Sequence, residues 1–100
     1  NPIMGAYSYI SGKKIKFWKI DVISEKELEK KFLDLKEYGY KIKDIESGTV
    51  LFSDEKNGLY IKANGGIIKV LEIQSENAKR MSINDFLRGN KINAGEMFEK

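Results

Sequence analysis

The chain has no cysteine and no histidine among its 100 residues. Without cysteine there is no disulfide, no thiolate metal site and no cysteine nucleophile. Small secreted domains often lean on disulfides, so their absence points to the cytoplasm. Without histidine the chain lacks the usual general base near neutral pH and the commonest metal ligand. Schemes built on Asp, Glu, Lys and Tyr stay open, but the balance moves away from a self-contained enzyme. No apolar run approaches the ~20 residues of a membrane span. Asn1 to Gly5 has neither the basic region nor the apolar stretch of a secretory signal.

What is present is ordinary for a folded domain. Hydrophobic residues at 41% and charged residues at 33% argue against disorder. A chain this size buries roughly two-thirds of its unfolded surface, enough for one modest core. The net charge of +3 and pI near 9.0 fit a nucleic-acid-facing surface without demonstrating one. Lysine outnumbers arginine, and Ile and Asn are frequent, which reads as the coding bias of an AT-rich genome.

Along the chain, Gly5 to Ile10 reads as a strand, Ser11-Gly12 as a turn, and Lys13 to Ile23 as a long second strand. In that strand Ile15 and Phe17 alternate with Lys14 and Lys16. The pattern changes phase at Trp18-Lys19, as a β-bulge would make it, so that Ile20 and Val22 become the apolar pair. Ser24 to Tyr38 is an amphipathic helix, capped by Ser24 with Glu27, striped by Leu28, Phe32 and Leu35, and ended at Gly39. Lys41 to Ile45 suggests a short edge strand, and Thr49 to Ser53 a further strand. Asn57-Gly58 and Asn64-Gly65-Gly66 are tight turns flanking Leu59 to Ala63. Ile67 to Gln74 is the most apolar strand and the expected centre of the sheet. Ser75 to Arg80 is a polar loop. Ser82 to Arg88 is a short helix with Ser82 and Asp85 at its start and Gly89 as its stop. Five or six short strands with two helices predict a mainly β fold: a small OB-like open β-barrel, with a helix inserted at about 24–38 and a short one near 82–88.

The motifs that carry chemistry are few. No GxGxxG or Walker pattern occurs, and Gly65-Gly66 lies between strands as a hairpin turn. The carboxylates Glu25, Glu27, Glu29, Asp54 and Glu55 stand among lysines and read as solvated surface. The strand aromatics Tyr7, Tyr9, Phe17, Trp18 and Tyr60 are mostly needed for the core. OB-type barrels, however, also bind nucleic acid through exposed aromatics, and Trp18 is the candidate because the phase shifts there between Lys16 and Lys19. Lys13, Lys14, Lys16 and Lys19 form one basic group; Lys79, Arg80, Arg88 and Lys91 form another. If they converge, they make a groove able to follow a phosphate backbone. Ordinary solubilising surface is the alternative, and composition alone favours it.

The last third adds a pattern. Gly58-Leu59, Gly65-Gly66, Ile73-Gln74, Lys79-Arg80-Met81, Asp85-Phe86-Leu87-Arg88-Gly89, then Ile92, Gly95 and Phe98 follow one another in order. At the start, Asn1-Pro2 precedes Gly5-Ala6-Tyr7, Gly12-Lys13 and Ile15-Lys16. Together these resemble the C-terminal domain of methionyl-tRNA formyltransferases over Asn1 to Val22 and Gly48 to Phe98. Two departures are Ile3-Met4, where Trp-Pro is usual, and Ala78, where glycine is usual before the lysine. The region Ile23 to Ser47 is longer than the family pattern.

The resemblance implies a piece of a two-domain enzyme, cut at the domain boundary, with residues 1–100 as one domain. An N-terminal Rossmann-like domain would carry the catalytic Asn, His and Asp and take the formyl group from 10-formyltetrahydrofolate. No catalytic residue, cofactor or metal is expected in this chain. Its partners would be initiator methionyl-tRNA and that catalytic domain, in a cytoplasmic monomer with no membrane contact. Lys13, Lys14, Lys16, Lys79, Arg80 and Arg88, with Trp18, are the candidate tRNA-binding residues. The rivals are the C-terminal domain of a sugar-nucleotide formyltransferase and a purely structural barrel.

Overall fold

The computed structural model describes residues 7–10, 12–24, 26–28, 45–64 and 66–99. Among the described residues six strands form one antiparallel sheet: β1 (Tyr7–Ile10), β2 (Lys13–Ile23), β3 (Val50–Asp54), β4 (Gly58–Ala63), β5 (Gly66–Ser75) and β6 (Met81–Ser82). Their order is β1-β2-β5-β4-β3, with β6 paired to β5, so β5 is central as its apolar run implies. A short helix, α1 (Ile83–Gly89), follows β6.

Tight turns set the register. Asp54 pairs with Gly58 and Ala63 with Gly66 across the two hairpins. Gly58 has φ +100, a conformation that asparagine and glycine reach cheaply. The Asp54 carboxylate accepts hydrogen bonds from the Asn57 backbone N–H and side-chain amide, which ties the first hairpin. Burial opposes its ionisation, but those bonds, the Lys56 backbone N–H and the Lys56 charge hold the carboxyl below its usual range. A carboxylate whose folded value lies below its unfolded value of about 3.9 stabilises fully above that value. The contribution is lost as pH falls through the lower, folded value. Asp54→Asn should therefore show a flatter fall of Tm with acidification below about pH 4, measured by thermal melts across the acid range.

The inner face of the sheet holds the main core. Ile15 and Phe17 of β2, Leu59 and Ile61 of β4, and Ile68, Val70 and Ile73 of β5 meet Ile83 and Phe86 of α1. Each fully buried side chain of this size contributes roughly 1.5–3 kcal/mol. The register of β2 against β5 is irregular between Phe17 and Ile20, where the phase change was expected. Ile20 does turn to pack on the core, but Val22 is 66% exposed and forms no apolar pair with it. β1 pairs only with Lys13 to Lys16, so Val22 stands on a stretch of β2 that β1 does not flank.

The C-terminal stretch closes the curl. Tyr9 and Glu99 exchange both backbone hydrogen bonds, at 2.6 and 2.7 Å. On the far edge, the Phe98 N–H donates to Gly48 O and the Val50 N–H to Glu96 O, each at 2.8 Å. One stretch of backbone thus spans from β1 to the start of β3. Phe98 enters the core edge-on to Phe17, ring centroids 5.2 Å apart. The result is a curled half-barrel, mainly β, as the small open barrel predicted from the strand pattern requires.

Of the inserted helix, only its first turn is described. The Glu27 N–H donates to Ser24 Oγ at 3.2 Å, the expected cap, and Leu28 is fully buried. Leu28 packs with Leu51, Tyr60 and Ile67 on the outer face, so this segment covers one part of the sheet that the core does not use. The rest of that helix, its Gly39 stop, most of the edge strand at 41–45 and residues 1–6 lie outside the described residues.

α1 begins as expected, with Ser82 Oγ accepting from the Asp85 N–H at 3.2 Å. Its end differs. Gly89 is its last residue and has no positive φ; the stop is Asn90, extended at φ −137, whose backbone N–H and side-chain amide both donate to Phe86 O. An asparagine that satisfies an orphan carbonyl with its own side chain removes the need for a left-handed glycine.

Candidate nucleic-acid interface

Strand alternation places Lys14 and Lys16 on the face opposite Ile15 and Phe17, away from the core. Trp18 follows them at the irregular point of β2 and is 40% exposed, unlike Phe17 and Tyr60, which are buried. An aromatic at a break in the ladder need not enter the core.

The second basic group reaches the same place through the β5–β6 connection. Short β6 pairs back on β5 (Glu72 with Ser82, Ile73 with Met81), which folds residues 76–80 over the end of β5. The Glu76 N–H donates to Lys14 O at 3.0 Å, fastening the loop to β2. Arg80 lies over the Trp18 ring, its Cζ 4.7 Å from the centroid, and Lys16 Nζ stands 4.0 Å from the same centroid. Exposed cation–π contacts of this kind contribute about 0.5–1 kcal/mol each. Arg80 Nε also donates to Glu72 Oε1 at 2.7 Å, a half-exposed pair that fixes direction more than it stabilises.

Polar contacts complete the arrangement. Trp18 Nε1 donates to Gln74 Oε1 at 2.8 Å, and Gln74 Nε2 donates to Ala78 O at 2.8 Å. Lys14, Lys16, Gln74, Ser75, Glu76 and Asn77 line a shallow cleft of about 180 Å³. The left-handed residue of the loop is Asn77, at φ 63; Ala78, where a glycine would be usual, needs no such conformation.

The candidate residues therefore divide. Lys14, Lys16, Trp18 and Arg80 come together. Lys79 is exposed next to Arg80 in the same loop. Lys13 is exposed at the β1–β2 hairpin, opposite Ile10. Arg88 is placed differently: its guanidinium bonds Glu55 at 2.8 Å and Asp85 at 3.2 Å, and none of the described contacts links it to Trp18. Glu55 and then Asp85 draw its pKa further up. Gln74 stood out only as part of the Ile73-Gln74 motif and Glu72 not at all, and neither was a candidate site residue: the Trp18 partner of Gln74 is 56 residues away and the Arg80 partner of Glu72 is 8.

These features define a small curled β-barrel domain with one basic, tryptophan-centred face. Residues 1–91 match the family model described as formyl transferase, C-terminal domain, and the chain belongs to that family. It is 33% identical over 99 residues to a methionyl-tRNA formyltransferase of Dictyoglomus thermophilum, covering 99% of this chain and 27% of the relative. Similar proteins of the same name come from Carboxydothermus hydrogenoformans, 35% identical with 99% and 27% covered, and Lachnospira eligens, 36% identical with 97% and 27% covered. The chain spans about a quarter of the length of these curated relatives.

With the fold in view, much of the family pattern is architectural. Ile92 and Phe98 are core residues, and Gly95, at φ +93, turns the chain that closes the barrel. Phe86 is the buried anchor of α1. No described helix is long and apolar enough to cross a membrane.

Proposed function

We propose that this chain is the tRNA-holding barrel of a methionyl-tRNA formyltransferase. It binds initiator methionyl-tRNA and positions it for a separate N-terminal catalytic domain, which takes its formyl group from 10-formyltetrahydrofolate. The parent enzyme acts in the cytoplasm as a monomer. The observation that carries this reading is the convergence of Lys16 and Arg80 on exposed Trp18, with Lys14 beside Lys16 in the adjoining cleft. The names of the relatives supply the substrate.

The mechanism is electrostatic. Cations on a rigid sheet neutralise phosphates, release counterions and fix the register of the RNA, while carrying little sequence information. Arg80 suits the task because its planar guanidinium can bind a phosphate through two parallel hydrogen bonds. Its pairing with Glu72 in the free chain orients it beforehand.

A titration of the chain with initiator tRNA at several salt concentrations tests this. The expected result is an affinity around ~10⁻⁴ to 10⁻⁶ M that falls steeply with salt, as a handful of phosphate contacts gives. No binding at low salt overturns the proposal. It would leave the barrel as a support for the catalytic domain or as part of a sugar-nucleotide formyltransferase.

A further inference from the structure

The tRNA-facing cations lie in two segments more than sixty residues apart, and one side chain touches both. Trp18 sits under Lys16 from its own strand and under Arg80 from the loop beyond β5. Its Nε1–H holds Gln74, and Gln74 in turn holds the carbonyl of Ala78, within residues 76–80. We propose that Trp18, acting with Gln74, is a positioning residue: it orders the β5–β6 loop and so presents Arg80 and Lys79 in register with Lys14 and Lys16. This deepens the tRNA-binding reading and rests on it.

Three observations support this role over direct base stacking. Both cations already stand over the ring, so the indole serves as a platform for protein side chains. Its N–H, the group with which it could read an RNA edge, is engaged by Gln74 in the free chain. Gln74 spends both ends of its amide on this link, with the oxygen toward Trp18 and the nitrogen toward Ala78. A side chain so committed carries position from β2 to the loop. Arg80 gains its second restraint from Glu72, which leaves the guanidinium fixed at two points, the ring and the carboxylate.

The two roles leave different marks on salt dependence. Removing a side chain that contacts one phosphate lowers the slope of log K against log salt by about one. Removing a neutral stacking ring weakens binding at every salt concentration and leaves that slope alone. Removing a positioning residue does what neither role predicts for a neutral side chain: it lowers the slope although no charge was lost.

The experiment uses the full chain, Trp18→Leu and Gln74→Ala, with Arg80→Ala for comparison. Hydrogen exchange is followed first, without RNA, at the Glu76 and Ala78 amides, whose acceptors are Lys14 O and Ser75 O. Both neutral variants are expected to speed exchange there by tenfold or so, with the β4 and β5 amides unchanged as the control for folding. Initiator tRNA is then titrated over a salt series, and both variants are expected to lower the slope by about one, as Arg80→Ala does. Unchanged exchange at the loop amides overturns the positioning role, whatever the RNA does. Weaker binding at an unchanged slope overturns it in favour of direct contact. Should the parent chain bind no tRNA, the functional reading fails by itself, and the exchange measurement still decides whether Trp18 orders the loop.

Discussion

Phe98→Ala should lower the stability of the chain by about 3–5 kcal/mol, the range for removing a buried phenyl ring from a core that cannot fully collapse. For a domain of this size that is a fall in Tm of roughly 15–25 °C. Phe98 is buried against Phe17 and rides on the stretch of backbone that joins the two edges of the sheet. Its loss removes the transfer energy of the ring and loosens the closure together. Gly48→Ala tests the same joint from the other side. Gly48 has φ +98, and a Cβ there would lie 2.6 Å from Phe98 O, a backbone atom that cannot swing away. Strained backbone plus a displaced closure should lower stability by about 3 kcal/mol. Denaturant melts decide both; a loss under about 1 kcal/mol in each would mean the barrel does not depend on that closure.

The second large effect is on binding. Lys14→Ala/Lys16→Ala/Arg80→Ala removes the three cations gathered at the Trp18 face. Near ~0.15 M salt, losing about three phosphate contacts should weaken the complex on the order of 100-fold and lower the salt slope by two to three units. Stability should change little, because Arg80 is exposed and Lys14 and Lys16 are half-exposed, and cation–π and ion-pair contacts in such places contribute ~1 kcal/mol or less each. Lys26→Ala, an exposed lysine at the start of the inserted helix, serves as the control and should leave affinity within about twofold. If the triple variant bound as the parent does, the RNA surface would lie elsewhere on the barrel, and Arg88 with Lys91 would be the next place to look.

What could be read in the residues, and what could not, follows the range of the interactions. Alternation in Lys13 to Phe17 marked the core face of β2, and its failure at Trp18-Lys19 marked the irregular point of the ladder. Asn57-Gly58 placed a hairpin because turn chemistry is local. Val22 misled because alternation records which face a residue is on, and not whether anything covers that face. Two-residue β6 and the Tyr9–Glu99 and Thr49–Met97 bridges had no local signature: pairing across the length of a chain leaves no period to find. The cluster at Trp18 was legible in its residue types, since Lys14, Lys16, Trp18 and Arg80 were all candidates. Its geometry was not. The Gln74 link and the Glu72 partner of Arg80 depend on β6 folding the loop back, and the Glu55 pairing of Arg88 bridges 33 residues.

Trp18 is the only tryptophan in the chain, so its emission reports on the proposed interface and on no other place. Titrating the chain with initiator tRNA while following that emission asks whether the RNA meets the barrel at Trp18. The expected result is a saturable change that disappears as salt is raised, in step with the loss of the complex. A complex that forms by an independent measure, such as a gel shift, while Trp18 emission stays constant would contradict it.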